Sequence, residues 1–405
     1  MTSFAATPSV RRLFLSSTLA RLPLATLGIG LLAHAASLTG SFASAGIVAG
    51  AYAVALGIGG PLAARLVDRR GQTAVLCATS VAAAVLLVAD AALPAGAPTA
   101  LLVGLAAAVG LATPPVGSCI RAVLPSVIAD PAAVRSAFAV EAAVAEVTWV
   151  AGPPFTLGLA ALWSPAGALA VSAVVMVAAT VAFAAEPASR AWAPTVVTRG
   201  RSGALAAPGL RTLVAVLLSV GVLFGALEVA VTATVGTPHD ASGAAPFLAL
   251  WGLGSLIGGV LLARRGGAAA GGSALIAMLA VLGTGHLLLV FATGSPATFA
   301  AMLVVAGAAI APTLAITFGM VDELAPAGTV TEAFAWLATA ESVGAAIGSA
   351  VAGGIVADAG AVPALALAGV AGAAAMAIAL VRRPTLAPRA VASAAVAPVC
   401  AVAGD

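Results

Sequence analysis

Apolar runs of about 20 residues, parted by short polar breaks, recur along the whole chain, and each can cross a hydrocarbon core as one helix. Twelve are legible: Leu13–Ala36, Phe42–Ala64, Thr73–Leu93, Thr99–Ile120, Ser136–Ala160, Leu162–Ala185, Thr212–Val235, Ala244–Ala263, Ser273–Thr293, Ala297–Val321, Ala333–Val356 and Ala361–Val381. The pattern predicts an all-α integral membrane protein of twelve transmembrane helices, its backbone polar groups satisfied inside those helices. The first run is too long for the core of a signal peptide and is read as span 1.

Arginine tests that count independently. Arg11 and Arg12 precede span 1; Arg65, Arg69 and Arg70 follow span 2; Arg121 and Arg135 follow span 4. Arg190, Arg199, Arg201 and Arg211 lie between spans 6 and 7, Arg264 and Arg265 after span 8, and Arg382, Arg383 and Arg389 after span 12. With loops alternating sides, all of these fall on one face, and an error of one in the span count would scatter them. The positive-inside rule makes that face cytoplasmic, with both termini inside a cell membrane.

Composition narrows the function. Hydrophobic residues are 62% of the 405 and charged residues 8%, with a mean hydropathy of +1.16, too few charges to cover a water-soluble surface of this size. The chain has 17 basic residues and all are arginine, so neither a P-loop lysine nor a Schiff-base lysine is available. The energy for any work is expected from an ion gradient or a partner, with no cofactor. Cys77, Cys119 and Cys400 have no metal-ligand spacing. Topology explains the arginines, so no nucleic-acid partner is expected.

The halves repeat. Shifting by 195 lays Gly57–Gly71 on Gly252–Gly266, so that Gly57, Gly59, Leu66, Arg69, Arg70 and Gly71 recur as Gly252, Gly254, Leu261, Arg264, Arg265 and Gly266. Near the same shift, Ala137-Phe138-Ala139 meets Ala333-Phe334-Ala335, Gly152 meets Gly348, and Gly158 meets Gly354. The expected organisation is a six-helix half (1–186), a cytoplasmic linker (187–211), a second six-helix half (212–381) and a disordered tail (382–405). Parallel repeats of this kind are common in secondary transporters.

Between spans 2 and 3, Ala64-Arg-Leu-Val-Asp68-Arg69-Arg70-Gly71 resembles the G-x-x-x-D-R-x-G signature of the major facilitator superfamily, with a degenerate copy at Gly259–Gly266 ending in Arg264-Arg265-Gly266. Ala64 stands where the signature has Gly, and the second copy has Ala263 where the first has Asp68, which makes any charged latch one-sided. The resemblance implies two six-helix halves that rock about a central cavity lined by spans 1, 4, 7 and 10. It also implies a cytoplasmic gate at Asp68, near a helix terminus of the opposite half. In span 5, Gly152-Pro153-Pro154-Phe155-Thr156-Leu157-Gly158 resembles part of the G-P-x-x-G-G motif of proton-coupled antiporters, with Thr156-Leu157 in place of Gly-Gly.

Charge within a bilayer costs at least ~2.5–3.5 kcal/mol and calls for a partner or a task. Arg21 lies roughly 12 Å inside span 1 at 1.5 Å per residue. Glu146 sits at similar depth in span 5, and because the superfamily packs these helices together the two are expected to pair. Glu141, a turn nearer the cytoplasm, is expected at the rim. Glu228 on span 7 and Glu341 on span 11 have no cation within the second half's spans and are expected to carry a proton for part of a working cycle, either as coupling groups or as structural carboxyls. His286 is expected to be structural, and Asp90, Asp240 and Asp358 to be solvated. Thr113, Pro115 and their neighbours interrupt span 4, and Pro312, Thr313 and Thr317 interrupt span 10; these are either simple kinks or cavity-facing backbone.

The expected function is secondary active transport: proton-coupled efflux of small, amphipathic molecules by a monomer, with lipid and cargo as its partners. An uptake symporter or facilitator of the same fold is the alternative, and a non-transporting receptor or scaffold the alternative from another class. No nucleophile elbow, metal-ligand cluster or carboxylate pair at hydrolytic spacing at a membrane face suggests an enzyme.

Overall fold

The computed structural model describes residues 8–24, 26–193, 203–235, 244–267 and 271–387. The first six spans are Pro8–Leu24 with Leu27–Thr39, Phe42–Arg70, Gln72–Ala91, Thr99–Ala112 with Val116–Val127, Pro131–Leu162, and Pro165–Ala185. The second six are Pro208–Val235, Ala245–Arg264, Gly272–Leu288 extended by the 3-10 turn Leu289–Phe291, Pro296–Gly307 with Ile310–Leu324, Val330–Ala359, and Ala361–Val381. Eleven of these are long and apolar enough to cross a membrane by themselves. The remaining one is span 5, a helix of 32 residues carrying Arg135, Glu141 and Glu146. The chain is a multi-pass membrane protein of twelve helices.

Proline sets the breaks. Pro114 and Pro115 interrupt span 4 between Ala112 and Val116. Pro312 has no N–H to offer the carbonyl of Ala308, and span 10 breaks there, between Gly307 and Ile310. The two halves are thus broken at corresponding places.

Close approach of backbones holds each half together, as expected where lipid removes the hydrophobic drive between helices. A side chain at Gly59 would collide with the backbone of Leu111, and one at Gly110 with that of Tyr52, so spans 2 and 4 cross on glycine. The repeat reproduces this: Gly254 lies on Val304 and Gly307 on Trp251, joining spans 8 and 10. Spans 7 and 11 interlock through Gly221 and Gly225 on one side and Gly344 and Gly348 on the other.

Several boundaries differ from those the hydropathy suggested. Span 4 runs on to Val127, because its second piece is an amphipathic helix whose polar face ends the apolar run early. Arg121 is therefore inside the helix, not in a loop. Span 5 starts at Pro131, where Asp130 caps it by accepting from the backbone N–H groups of Ala132 (3.0 Å) and Ala133 (3.2 Å). The tail is ordered at its start: Arg383–Leu386 forms a 3-10 turn and Leu386 is buried. Arg199, Arg201, Asp240, Arg389 and Cys400 lie outside the described residues.

Candidate functional site

The signature forms a junction between the halves. Span 2 ends at Arg70, and Gly71, at φ 89°, makes the turn that a side chain would strain. This places Asp68, 2% exposed, against the start of span 11. Its carboxylate accepts from the backbone N–H of Thr331 (Oδ1, 3.1 Å) and of Glu332 (Oδ2, 2.8 Å). Thr329, the N-cap residue of span 11, makes no side-chain cap bond of its own. Asp68 therefore caps this helix from the other half, where a negative charge also meets the positive end of the helix dipole. Arg65 pairs with Glu332 at 3.7 Å, and the Thr339 hydroxyl donates to the Gly57 carbonyl at 3.1 Å further along the same crossing. Ala64 is fully buried, so the small-for-small change preserves close packing. Arg69 and Arg70, like Arg264 and Arg265 of the repeat, are exposed. Gly266 repeats the left-handed turn of Gly71 at φ 87°.

Near this junction three phenylalanines meet between the halves. Phe138 of span 5 meets Phe318 of span 10 and Phe334 of span 11 with ring centroids 6.4 and 6.3 Å apart, and Phe318 meets Phe334 at 5.9 Å. All three are buried. The repeat pair Phe138 and Phe334 thus touch each other across the pseudo-symmetry.

A charge cluster leans on these rings. The Arg121 guanidinium sits 4.0 Å from the Phe318 ring centroid, a cation–π contact. Its Nε donates to Glu141 Oε2 at 2.9 Å, while Arg21 Nη1 donates to Glu141 Oε1 at 2.8 Å. Glu141 is completely buried and both arginines nearly so. It is not a rim residue: span 5 starts earlier than the apolar run implied, and the helix turns this carboxylate inward between spans 1 and 4. Arg121 joins Arg21 as a second basic group within a span. Arg21 is thus paired with Glu141; the side chain of Glu146 lies outside the described residues. Glu341 of the second half lies within the field of Arg121 and Glu141.

The fold as a whole matches those of solved transporters. The human organic anion transporter TETRAN matches with a TM-score of 0.71 and 18% identity over 92% of this chain and 100% of that one. A bacterial homologue of the iron transporter ferroportin, in an outward-facing state, gives 0.69 and 16% over 93% and 99%. The proton:xylose symporter XylE, named as a member of the major facilitator superfamily, gives 0.68 and 14% over 91% and 94%. The chain has the major facilitator fold. No family model and no curated protein matches the sequence.

Within the major facilitator fold the other expected site residues take varied places. Glu228 is exposed on span 7, on the face that carries Gly221 and Gly225 and further from the arginine-rich end. Thr113, Thr313 and Thr317 are buried, and each hydroxyl donates to the carbonyl four residues earlier, at 2.9, 2.7 and 2.9 Å. In this state they reinforce their helices. Pro312 is buried and Pro115 half-buried. Gly152 is buried and Gly158 borders open space, while the side chain of Pro153 lies outside the described residues. His286 is structural: Trp251 Nε1 donates to its Nε2 at 3.0 Å, which leaves Nδ1 to donate to the Leu282 carbonyl at 2.8 Å. Asp90 is not solvated but buried, its carbonyl 3.0 Å from Nε2 of the buried His34; Asp358 is exposed. His34 and Phe318 carry no signal in the sequence, and Phe138 and Phe334 show there only as mates in the repeat. Among the described residues no group of His, Cys, Asp and Glu could hold a metal ion.

Proposed function

We propose that the protein is a secondary active transporter that moves small molecules by alternating access, with its arginine-rich end in the cytosol and the present state facing outward. One observation carries this reading: Asp68 caps a helix that belongs to the opposite half. A bond of that kind is made when the halves meet and broken when they part, which is what a gate between two access states requires. The phenylalanine plug behind it keeps the closed end dry.

Proton coupling is assigned to the cluster behind the plug. Arg21, Arg121 and Glu141 sum to one positive charge within the first half, and Glu341 of the second half lies within the field of that cluster. Opening the arginine-rich end carries Glu341 away from Arg121, and a lone buried carboxylate is costly in that setting. Proton uptake by Glu341 at that step links cargo movement to the gradient. Glu228, exposed and without a described partner, is the second coupling candidate. The partial antiporter motif from Gly152 to Gly158 favours export, and the shortage of polar cavity residues favours amphipathic cargo. Uptake is the competing direction, and a proton:xylose symporter of this fold shows why it has to be tested.

The test uses membrane vesicles from expressing cells and a panel of amphipathic fluorescent dyes. Inverted vesicles should accumulate at least one dye when a proton gradient is imposed, and Glu341→Gln should abolish the gradient dependence while leaving exchange of dye across the membrane. Accumulation only in right-side-out vesicles would reverse the direction; transport by Glu341→Gln that still follows the gradient would remove that residue from coupling.

A further inference from the structure

Where spans 7 and 12 emerge at the arginine-rich end, they leave between them a cavity of ≈ 400 Å³ lined by Arg211, Thr212, Ala215, Ile378 and Arg382. Its chemistry is ordered along the membrane normal. Arg211 and Arg382 are exposed, and one helical turn deeper each helix contributes an apolar wall, Ala215 four residues after Arg211 and Ile378 four residues before Arg382. Two cations therefore stand at the level of the lipid headgroups with an apolar slot beneath them. Among the described residues neither arginine has a carboxylate within 4.0 Å, whereas Arg12, Arg21, Arg65 and Arg121 each have one.

The fold fixes this arrangement. After span 12 the chain turns back across the ends of spans 7 and 9: the hydroxyls of Thr385 and Thr212 bond at 2.8 Å, and Arg383 Nη2 donates to the Ser273 hydroxyl at 3.1 Å. Gly209 lies directly on the Thr385 carbonyl. The turn engages Arg383 and leaves Arg382 beside the cavity. A topology marker would need charge on this face, but not two arginines set around one slot.

We infer that this cavity binds the phosphate headgroup of an anionic phospholipid, with Arg211 and Arg382 on the phosphate and an acyl chain along Ala215 and Ile378. Basic pockets between helices on the cytoplasmic side suit such headgroups. The inference needs only the membrane fold, so it stands or falls separately from the transport reading.

The full chain, purified in a neutral detergent, would be examined by native mass spectrometry after addition of phosphatidylglycerol or phosphatidylcholine. One phosphatidylglycerol should be retained several-fold more than phosphatidylcholine. The double variant Arg211→Gln/Arg382→Gln should erase that preference while leaving the lipid-free melting temperature unchanged. Ala215→Phe, which fills the slot and keeps both cations, should also lose the bound lipid, and it serves as the test if the double variant fails to fold. Equal retention of the two lipids by the unmodified chain, or undiminished preference in the variants, would overturn the assignment. Full displacement of phosphatidylglycerol by millimolar inorganic phosphate would also overturn it, in favour of a free-anion site.

Discussion

The repeat gives the protein two junctions between its halves, span 2 against span 11 and span 8 against span 5, and they are built differently. At the first, Asp68 reaches across to cap a helix whose own N-cap residue, Thr329, makes no side-chain cap bond. At the second, the position of Asp68 is taken by Ala263, and span 5 is capped from within by Asp130. Contact there is made by bare backbone: Gly259 lies on Ala143 and Ala139, and Gly267 on Arg135. When the halves separate, span 11 loses a cap and span 5 loses none. Under the proposed rocking, the first junction would serve as a latch, with an electrostatic cost of opening, and the second as a bearing, with only packing to lose.

The largest effect is expected where both junctions enclose the charge cluster. Glu141→Gln leaves Arg21 and Arg121 buried without their shared carboxylate, and losing one partner of a buried pair costs about 3–5 kcal/mol. Thermal unfolding in detergent should show a strongly lowered midpoint, and an unchanged midpoint would mean that the cluster is wet. Gly259→Leu attacks the bearing. Its side chain has no room against Ala143 and Ala139, and overpacking of this kind costs about 1–3 kcal/mol. Reactivity of a cysteine placed at the buried Phe334 should rise as the arginine-rich end is wedged open.

Asp68→Ala attacks the latch. Loss of a helix cap costs about 0.5–2 kcal/mol, so the same cysteine reporter should show the open population rising by between twofold and thirtyfold. Asp68→Asn, which can still accept one N–H but lacks the charge, should fall between. The smallest effect sharpens the contrast: Ala263→Asp should change little by itself, because Asp130 already caps span 5. In an Asp130→Ala background the same substitution should restore part of the stability lost. A gain by Ala263→Asp alone equal to the loss from Asp68→Ala would show that the two junctions are equivalent after all.

What the sequence disclosed follows from the range of each interaction. Twelve spans and the one-sided arginines are local properties of hydropathy and charge, and they were readable. So was the junction at the end of span 2, because Asp68, the close-packed Ala64 and the positive-φ turn at Gly71 lie within eight residues. The charge cluster was misread because its depth was counted from the ends of apolar runs. Helices continue past those ends, so Arg121 and Glu141 were assigned to loop and rim when both are in the core. The partners of Glu141 lie 120 and 20 residues away, beyond any local pattern. Phe138 and Phe334 showed in the sequence only as mates in the repeat, and Phe318 not at all; that the three rings meet is beyond any local pattern. Asp90 was read as solvated for a similar reason, since the residue that covers it, His34, belongs to another span.

The central claim is that the halves rock apart at the arginine-rich end and that Asp68 resists this. Spin labels at Ser126→Cys and Glu323→Cys, exposed positions on opposite halves at that end, would report it by pulsed electron resonance on an otherwise cysteine-free chain in lipid. Two distance populations are predicted, with the longer one enriched several-fold by Asp68→Ala. A single distance, identical with and without the aspartate, would contradict the account.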